Sequence, residues 1–256
     1  MQQTEQRWLI ALYEPVCLFS LRMSNTTSKG GKTLVVPTPY AVKMALIDAC
    51  FRAEDGPAAE ELGRRVYELV KSRTFRFRPP PQCVVQNTFV KVLDAERDGD
   101  LPFKQTIVYR EFAAFSGGPL EIAADCSGLT DKECTLLERL FWHIHSLGKR
   151  GSFWQCSEVR QQDLLPAGYT APLRSAAFSQ PTLYGLTQTL DDFGAELCEA
   201  RDGFERISTY GDKPMNLGKH RVLETTAIPY RRRSAGKRFT WYERNEAATG
   251  NTATEP

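Results

Sequence analysis

At 256 residues, with 41% hydrophobic, 11% aromatic and 25% charged residues, the chain is long and apolar enough to bury a core without disulfides or a structural metal. Its composition excludes a disordered chain, a collagen and a coiled coil. The 33 Lys+Arg against 31 Asp+Glu leave a formal charge of +2, a sum that on its own argues against binding nucleic acid. No apolar run approaches the roughly 18 residues of a bilayer span, and the opening Met1-Gln2-Gln3-Thr4-Glu5-Gln6 lacks a signal-peptide pattern. The expectation is a cytoplasmic protein with no membrane contact. Its seven cysteines form no C-x-x-C pair and read as reduced, buried small hydrophobes.

Residues 7–13, a compact apolar run before Pro15, predict a strand buried on both faces, and 16–22 continue the extended pattern. A polar loop over 24–32 precedes Thr38-Pro39, which opens a helix: threonine supplies the capping oxygen and proline at the first helical position loses no needed hydrogen bond. Its apolar stripe is Val42, Leu46, Ala49 and Cys50. Asp55-Gly56-Pro57 breaks it and starts a second helix with the stripe Leu62, Val66, Leu69 and Val70.

Beyond the basic stretch 71–78 and three prolines at 79–81, alternating segments 83–93 and 103–115 flank a charged turn at Asp98-Gly99 and predict a long hairpin. Both its faces keep polar residues, as in a hairpin that projects from its domain. Residues 119–124 read as a short strand. Thr130-Asp131-Lys132-Glu133 is a capping box with Leu129 and Cys134 at the staple positions; Leu136, Leu137, Leu140, Phe141, Ile144 and Leu147 continue as a stripe toward Gly148 as the C-cap. A last strand covers 152–156. With the hairpin set aside, the order strand, helix, strand, strand, helix, strand is the α+β split βαβ pattern of ferredoxin-like and RRM-like folds. From Val159 onward prolines and glycines punctuate short extended pieces. The organisation predicted is therefore a ferredoxin-like domain over 1–158, an irregular, β-rich, basic C-terminal extension over 159–244, and a disordered tail over 245–256.

Gly30-Gly31-Lys32-Thr33 resembles the end of a phosphate-binding loop, but the first glycine of that motif falls on Thr26 and Leu34 to Pro37 follow instead of a helix. A mobile basic loop offering Lys32 to a phosphate is the better reading. His143 and His145, two apart on the predicted helix, point away from each other and cannot share a ligand. No metal-ligand spacing appears, and His220 has no evident triad partner. The cations divide unevenly. Lys71, Arg73, Arg76 and Arg78 occur without an acid and are interleaved with Phe75 and Phe77. Between Gly218 and Arg244 eight cations meet two acids, among Tyr230, Phe239, Trp241 and Tyr242. Cations hold phosphates and aromatics stack on unpaired bases, so the mixture suits single-stranded nucleic acid; the bland alternative is a solvated charged face. Lys149 and Arg150 sit in a glycine-flanked turn that lets a backbone approach a ligand closely, or simply ends a helix. The compensating acids, among them Glu54, Asp55, Glu60, Glu61, Asp191, Asp192, Glu196 and Glu199, read as faces for solvent or protein partners.

Pro37-Thr38-Pro39-Tyr40-Ala41-Val42 after an N-terminal strand, the inserted hairpin, the basic turn at 148–151 and Tyr230-Arg231-Arg232-Arg233 together resemble one family, the Cas-five subunits of type I CRISPR–Cas surveillance complexes in the RAMP superfamily. The resemblance spans most of residues 7–244; the glycine-containing turn is shorter than is typical of RAMP proteins. It implies a RAMP domain with a thumb over 83–115 bearing Phe89, Lys91, Lys104 and Tyr109. It further implies a non-catalytic subunit that caps the end of the Cascade complex at the 5′ handle of the CRISPR RNA. Such a subunit contacts the large Cas-eight-type subunit and the Cas-seven backbone, and meets target DNA through the guide in antiviral defence. RNA-binding candidates are Lys32, Tyr40, Arg76, Arg78, Lys149, Arg150, Arg231, Arg232, Arg233, Lys237 and Arg238, with no cofactor, no metal and no catalytic residue expected. One branch of the family, in subtype I-C, cleaves precursor RNA, and Tyr40, Lys32 and a histidine are nominal candidates for such a metal-independent endoribonuclease. A metabolic enzyme on a ferredoxin-like scaffold is a third reading and predicts an acid-containing pocket in place of a basic face.

Overall fold

The computed structural model describes residues 6–24, 30–95, 103–148, 151–173, 185–208 and 211–245. In chain order, β1 (Trp8–Pro15), β2 (Leu21–Arg22), β3 (Gly30–Gly31) and β4 (Thr33–Leu34) lead into helices α1 (Pro39–Ala53) and α2 (Gly56–Val70). Strands β5 (Phe75–Arg78), β6 (Gln82–Ala95), β7 (Phe103–Ser116) and β8 (Leu120–Asp125), helix α3 (Asp131–Trp142) and strand β9 (Trp154–Gln162) follow. The remainder comprises β10 (Ala171–Pro172), β11 (Leu186–Phe193), α4 (Ala195–Glu199), α5 (Gly203–Ile207), β12 (Arg221–Ile228), β13 (Tyr230–Ala235) and β14 (Phe239–Arg244).

The architecture is mixed α and β with mostly antiparallel sheets; among the described strand pairs only β3 and β7 run parallel. The central four-stranded sheet has the order β5-β8-β1-β9, with every neighbour antiparallel. β1 lacks polar alternation because both its faces are covered. Leu9, Ala11 and Tyr13 join the main core, where α1 and α3 pack, while Ile10 turns to Ala123 and Tyr169 on the opposite face. Tyr13 is fully buried and its hydroxyl donates to the carbonyl of Phe141, which ties the sheet to the end of α3.

Local signals set the helix starts. Thr38 is extended and its hydroxyl accepts from the Ala41 N–H at 3.1 Å, with Pro39 in the first turn of α1. In α3, Thr130 and Glu133 satisfy each other's backbone donors in a complete capping box, which holds the Glu133 carboxyl below its ordinary range. The far end of α3 corrects the prediction. The helix stops at Trp142, with His143 as its cap, and Gly148 is not the C-cap. The next backbone groups bond to the start of β9 instead, Trp154 N–H to His145 O and Leu147 N–H to Ser152 O. Ile144 and Leu147 still enter the core, which is why the helical spacing continued past the helix. His143 and His145 are accordingly not two positions on one helix.

Three further expectations change. Gly30-Gly31 and Thr33-Leu34 are not part of a mobile loop; they pair with β7 and β2 respectively, leaving Lys32 exposed between two short strands. The C-terminal part is β-rich as expected but regular: β11 and β12 pair over eight register positions, and β13 and β14 add to the hairpin as the five-stranded sheet β13-β14-β6-β7-β3. Leu190, Phe193, Leu197, Ile207, Ile228 and Tyr230 belong to the same core as α1 and β1. Finally, Asp191 and Asp192 are not an acidic face, since both serve as internal counter-ions. Of the tail, Asn245 is held, its N–H donating to the Pro229 carbonyl at 2.9 Å; residues 246–256, the hairpin turn at Asp98-Gly99, and Lys149 and Arg150 lie outside the described residues.

Lys43 is the core residue that the apolar stripe of α1 did not reveal. Its side chain is 1% exposed, and its ammonium lies 2.6 Å from Asp192. It also donates to the Lys71 carbonyl at the end of α2 and stands over the Phe75 and Phe193 rings at 5.9 and 5.3 Å. Burial pushes the Asp192 carboxyl up, and Lys43 opposes that rise.

Removing one member of this pair strands the other. Asp192→Asn is expected to cost about 2 kcal/mol in denaturant unfolding, less than the 3–5 kcal/mol of a fully buried pair because the carboxylate keeps 31% exposure. Lys43→Met with Asp192→Asn is expected to recover part of that loss; a double variant as unstable as the sum of both singles would refute the pairing. For the capping box the sign follows from a lowered carboxyl pKa: its stabilisation is present above the ordinary glutamate range and lost as pH falls through the depressed value. Glu133→Gln should therefore unfold earlier than the native chain at pH 7 and at the same denaturant concentration near pH 2; a gap independent of pH would contradict this.

Candidate nucleic-acid interface

A cleft of about 850 Å³ opens where β2, the start of α1, β7, the 146–148 turn, β11 and β12 converge. The N-terminal turn of α1 supplies Thr38, Tyr40 and Ala41, and the helix presents the positive end of its dipole here. Leu21, Met23, Leu34 and Met44 make an apolar lining, while Arg22, Arg110 and Arg221 bring three cations. Asp48 and Asp191 are the acids, and each already holds an arginine: Asp48 pairs with Arg52 and Asp191 with Arg221. The positive end of a helix and three arginines thus face a space whose acids are spoken for.

Close backbone approaches shape the cleft. Gly31 pairs in parallel with Arg110, and a Cβ on it would lie 2.8 Å from the Arg110 Cδ and 2.9 Å from the Tyr109 carbonyl. Gly148 has a φ of +75°, and a Cβ there would meet Leu21 at 3.0 Å. Gly31 lets β3 close on β7 and Gly148 lets the 146–148 turn close on β2, beside the Arg22, Arg110 and Gly148 of the lining.

Tyr40 and Arg221 form the best-defined contact in the cleft. The Arg221 guanidinium carbon lies 4.0 Å from the centre of the Tyr40 ring; its Nε donates to Asp191 and its Nη2 to the Ser24 hydroxyl at 2.8 Å. Phe193 braces Tyr40 edge-on at 5.5 Å. Burial pushes the Tyr40 phenol above its ordinary range, with Arg221 opposing, so at neutral pH it is a protonated phenol. None of the chain's three histidines lines the cleft, and among the described residues no cluster of His, Cys, Asp or Glu could hold a metal.

The sequence-predicted residues are distributed over three places. Tyr40 is in the cleft, and Lys32 stands between Gly31 and Thr33, which pair with Arg110 and Arg22 of the lining. Lys149 and Arg150 lie outside the described residues, directly after Gly148. Arg76 and Arg78 belong elsewhere: β5 sends Phe75 and Phe77 into the core and these two arginines to the second face of the central sheet. There Arg78 pairs with Glu121 at 2.7 Å, and Glu121 also accepts from Arg160 and Tyr169. The rest of the stretch is engaged in the fold, Lys71 with Glu68 and Arg73 with the Leu69 and Ser127 carbonyls.

The third place is β13 and its turn. Arg231 pairs with Glu243 across to β14, Arg232 and Arg233 are exposed, and Lys237 and Arg238 are exposed in the turn before Phe239. The aromatic residues of this stretch alternate in role: Tyr230 is fully buried with its hydroxyl on Pro80 O, Tyr242 packs against it, and Phe239 stays exposed. β13 and β3 are opposite edges of one five-stranded sheet, four steps of about 4.8 Å apart. None of the β13 arginines lines the cleft, and β13 is three strands from β7, which carries Arg110 of the lining.

β6 and β7 pair over fourteen register positions. Near the base one face is core, with Cys83 and Ala113 buried and Phe115 packed on Phe19. Farther out the same face is uncovered, leaving Phe89, Leu93 and Ile107 exposed at 73, 68 and 66% with the exposed Lys91 among them. Tyr109 meets Phe89 edge-on at 5.9 Å, and Lys104 is in β7. Sequence reasoning missed Arg22 and Arg110 and counted Arg221 only as one cation of eight; lone arginines on alternating strands carry no spacing signal, and only the strand pairing brings them together.

No family model matches the chain. A curated CRISPR-associated protein Cas5 from Archaeoglobus fulgidus is 28% identical over 99 residues, which is 38% of this chain and 42% of that relative's length. The match thus spans about two-fifths of the relative. A solved crystal structure of a CRISPR protein from Archaeoglobus fulgidus covers 93% of this chain and 92% of its own at 13% identity and a TM-score of 0.46, a likeness too loose to define a shared fold.

The outer hairpin face stabilises little in the isolated chain, because its apolar side chains remain in water. Phe89→Ser, Leu93→Ser and Ile107→Ser are each expected to change the unfolding free energy by no more than about 0.5 kcal/mol. A loss of about 2 kcal/mol at any of the three would mean that this face is packed.

Proposed function

We propose that this chain, a Cas5-type CRISPR protein by its match to a curated relative of that name, is the non-catalytic subunit that holds the 5′ handle of a CRISPR RNA at one end of a type I Cascade complex. The observation that carries the reading is the cleft at the start of α1, where Arg22, Arg110 and Arg221 surround an apolar floor and the acids are already paired. Phosphates need cations and a helix N-terminus, and bases need flat or apolar surface; this cleft offers both.

Several features support the finer parts of the proposal. The order β5-β8-β1-β9, all antiparallel, with a strand-helix-strand on either side, agrees with a ferredoxin-like RAMP domain. The long hairpin with an uncovered apolar face at Phe89, Leu93 and Ile107 suits a thumb that docks on the Cas-seven backbone subunit and the guide. The large Cas-eight-type subunit is the other protein partner in this reading, and target DNA is met through guide pairing in the cytoplasm. The β13 arginines, apart from the cleft, serve as a second phosphate contact.

A non-catalytic role suits a cleft in which Tyr40 is a half-buried, protonated phenol under an arginine and no histidine is within the lining. The acid-containing pocket of a metabolic enzyme is a poorer fit, because Asp48 and Asp191 each hold an arginine.

Binding of repeat-derived single-stranded RNA, followed across a salt titration, tests the proposal. Arg22→Ala with Arg110→Ala is expected to weaken binding about tenfold and to reduce the slope of log K against log salt by about 1.4, two phosphates at about 0.7 each. Arg231→Ala, Arg232→Ala and Arg233→Ala together should weaken it separately and additively. Unchanged affinity and slope in the cleft variant would overturn the assignment, and cleavage of repeat RNA by the purified chain in a metal chelator would overturn the non-catalytic role.

A further inference from the structure

Arg221 differs from the other two arginines of the cleft in how completely it is held. Its Nε edge is taken by Asp191, a carboxylate whose side chain is 2% exposed, and its Nη2 by the Ser24 hydroxyl at 2.8 Å. The guanidinium carbon lies over the Tyr40 ring, 4.0 Å from its centre, and that ring is braced by Phe193. A third of the side chain, 33%, remains exposed, and it belongs to the cleft that Tyr40 and Arg221 both line.

This arrangement is a poor phosphate clamp. The positive charge of Arg221 is already balanced by a carboxylate that cannot move away, and an incoming phosphate would be repelled by Asp191. The planar surface is unaffected by that pairing, and a fixed guanidinium plane is a stacking surface for an unpaired base. Arg22 and Arg110, in the same lining, supply the cationic side on which the attached phosphates would rest. A cleft of about 850 Å³ with apolar walls has room for a nucleotide placed in this way.

We infer that Arg221, stacked on Tyr40 and oriented by Asp191, is the platform on which one unpaired nucleobase of a bound single-stranded RNA stacks, so that the cleft registers the RNA at one nucleotide and not through its backbone alone. The inference rests on the RNA-binding reading of the cleft and adds to it the position-specific element.

Short repeat-derived RNAs carrying a single abasic site, moved one nucleotide at a time, test it on the full chain. One abasic position is expected to bind about tenfold more weakly than the intact RNA, with its neighbours little changed. Arg221→Lys, which keeps the charge on Asp191 but loses the plane, should abolish that position-specific penalty while leaving the salt slope unchanged. Tyr40→Leu, which keeps the ion pair and removes the support, should reduce the penalty too and serves if the lysine variant fails to fold. Equal binding of all abasic RNAs by the native chain, or a penalty that persists in Arg221→Lys, would overturn the inference and leave RNA binding in the cleft standing. Failure of the native chain to bind the intact RNA would overturn both.

Discussion

Adjacent acids on β11 divide their work between the core and the cleft. Successive side chains of a strand point to opposite faces, so Asp192 turns to Lys43 of α1 and Asp191 to Arg221 of β12. Lys43 in turn holds the end of α2 through the Lys71 carbonyl. Two adjacent strand positions therefore fix α1 against α2 on one side and Arg221 over Tyr40 on the other. A buried lysine is tolerated only when its charge is met, so β11 cannot move away from α1 without exposing an unpaired cation in the core. The geometry of the cleft inherits that rigidity.

The near-neutral total charge acquires a different meaning once partners are known. Many of the cations are consumed at home: Lys71 pairs with Glu68 at the end of α2, Arg73 donates to the Ser127 carbonyl after β8, Arg78 joins β5 to β8, and Arg231 pairs across the β13–β14 turn. The cleft gathers Arg22 of β2, Arg110 of β7 and Arg221 of β12, the last of them already balanced by Asp191. A local charge count measures supply. Electrostatic reach depends on which side chains lack an internal carboxylate, and that is a property of the pairing.

Much of the fold was legible along the chain. The Thr38 and Thr130 caps, the hairpin strands and the doubly buried β1 all rest on interactions within a few residues or on a period of two, which sequence displays directly. The end of α3 was misread because Ile144 and Leu147 enter the same core from an extended segment, and spacing alone does not distinguish that from another helical turn. The candidate site was legible only in part. Tyr40 was a candidate only through the family resemblance that Pro37-Thr38-Pro39-Tyr40-Ala41-Val42 helps to carry; Arg22, Arg110 and Arg221 could not be found as a group, since the residues that gather them lie far away in sequence.

Sequence by itself determined β1, α1, α2, the hairpin strands, the start of α3 and the family resemblance, because capping, alternation and turn chemistry are local and survive without knowledge of the partners. It also determined that arginine and aromatic side chains are abundant toward the C-terminus. Tertiary structure alone decided their use. Tyr230 and Tyr242 went to the core and Phe239 to solvent by strand alternation, Asp191 and Asp192 became counter-ions by burial, and one arginine of eight cations came to lie on Tyr40. The physical reason is that a charge or a ring acquires its role from what is packed against it, and those neighbours come from β2, α1, β7, β11 and β12 at once.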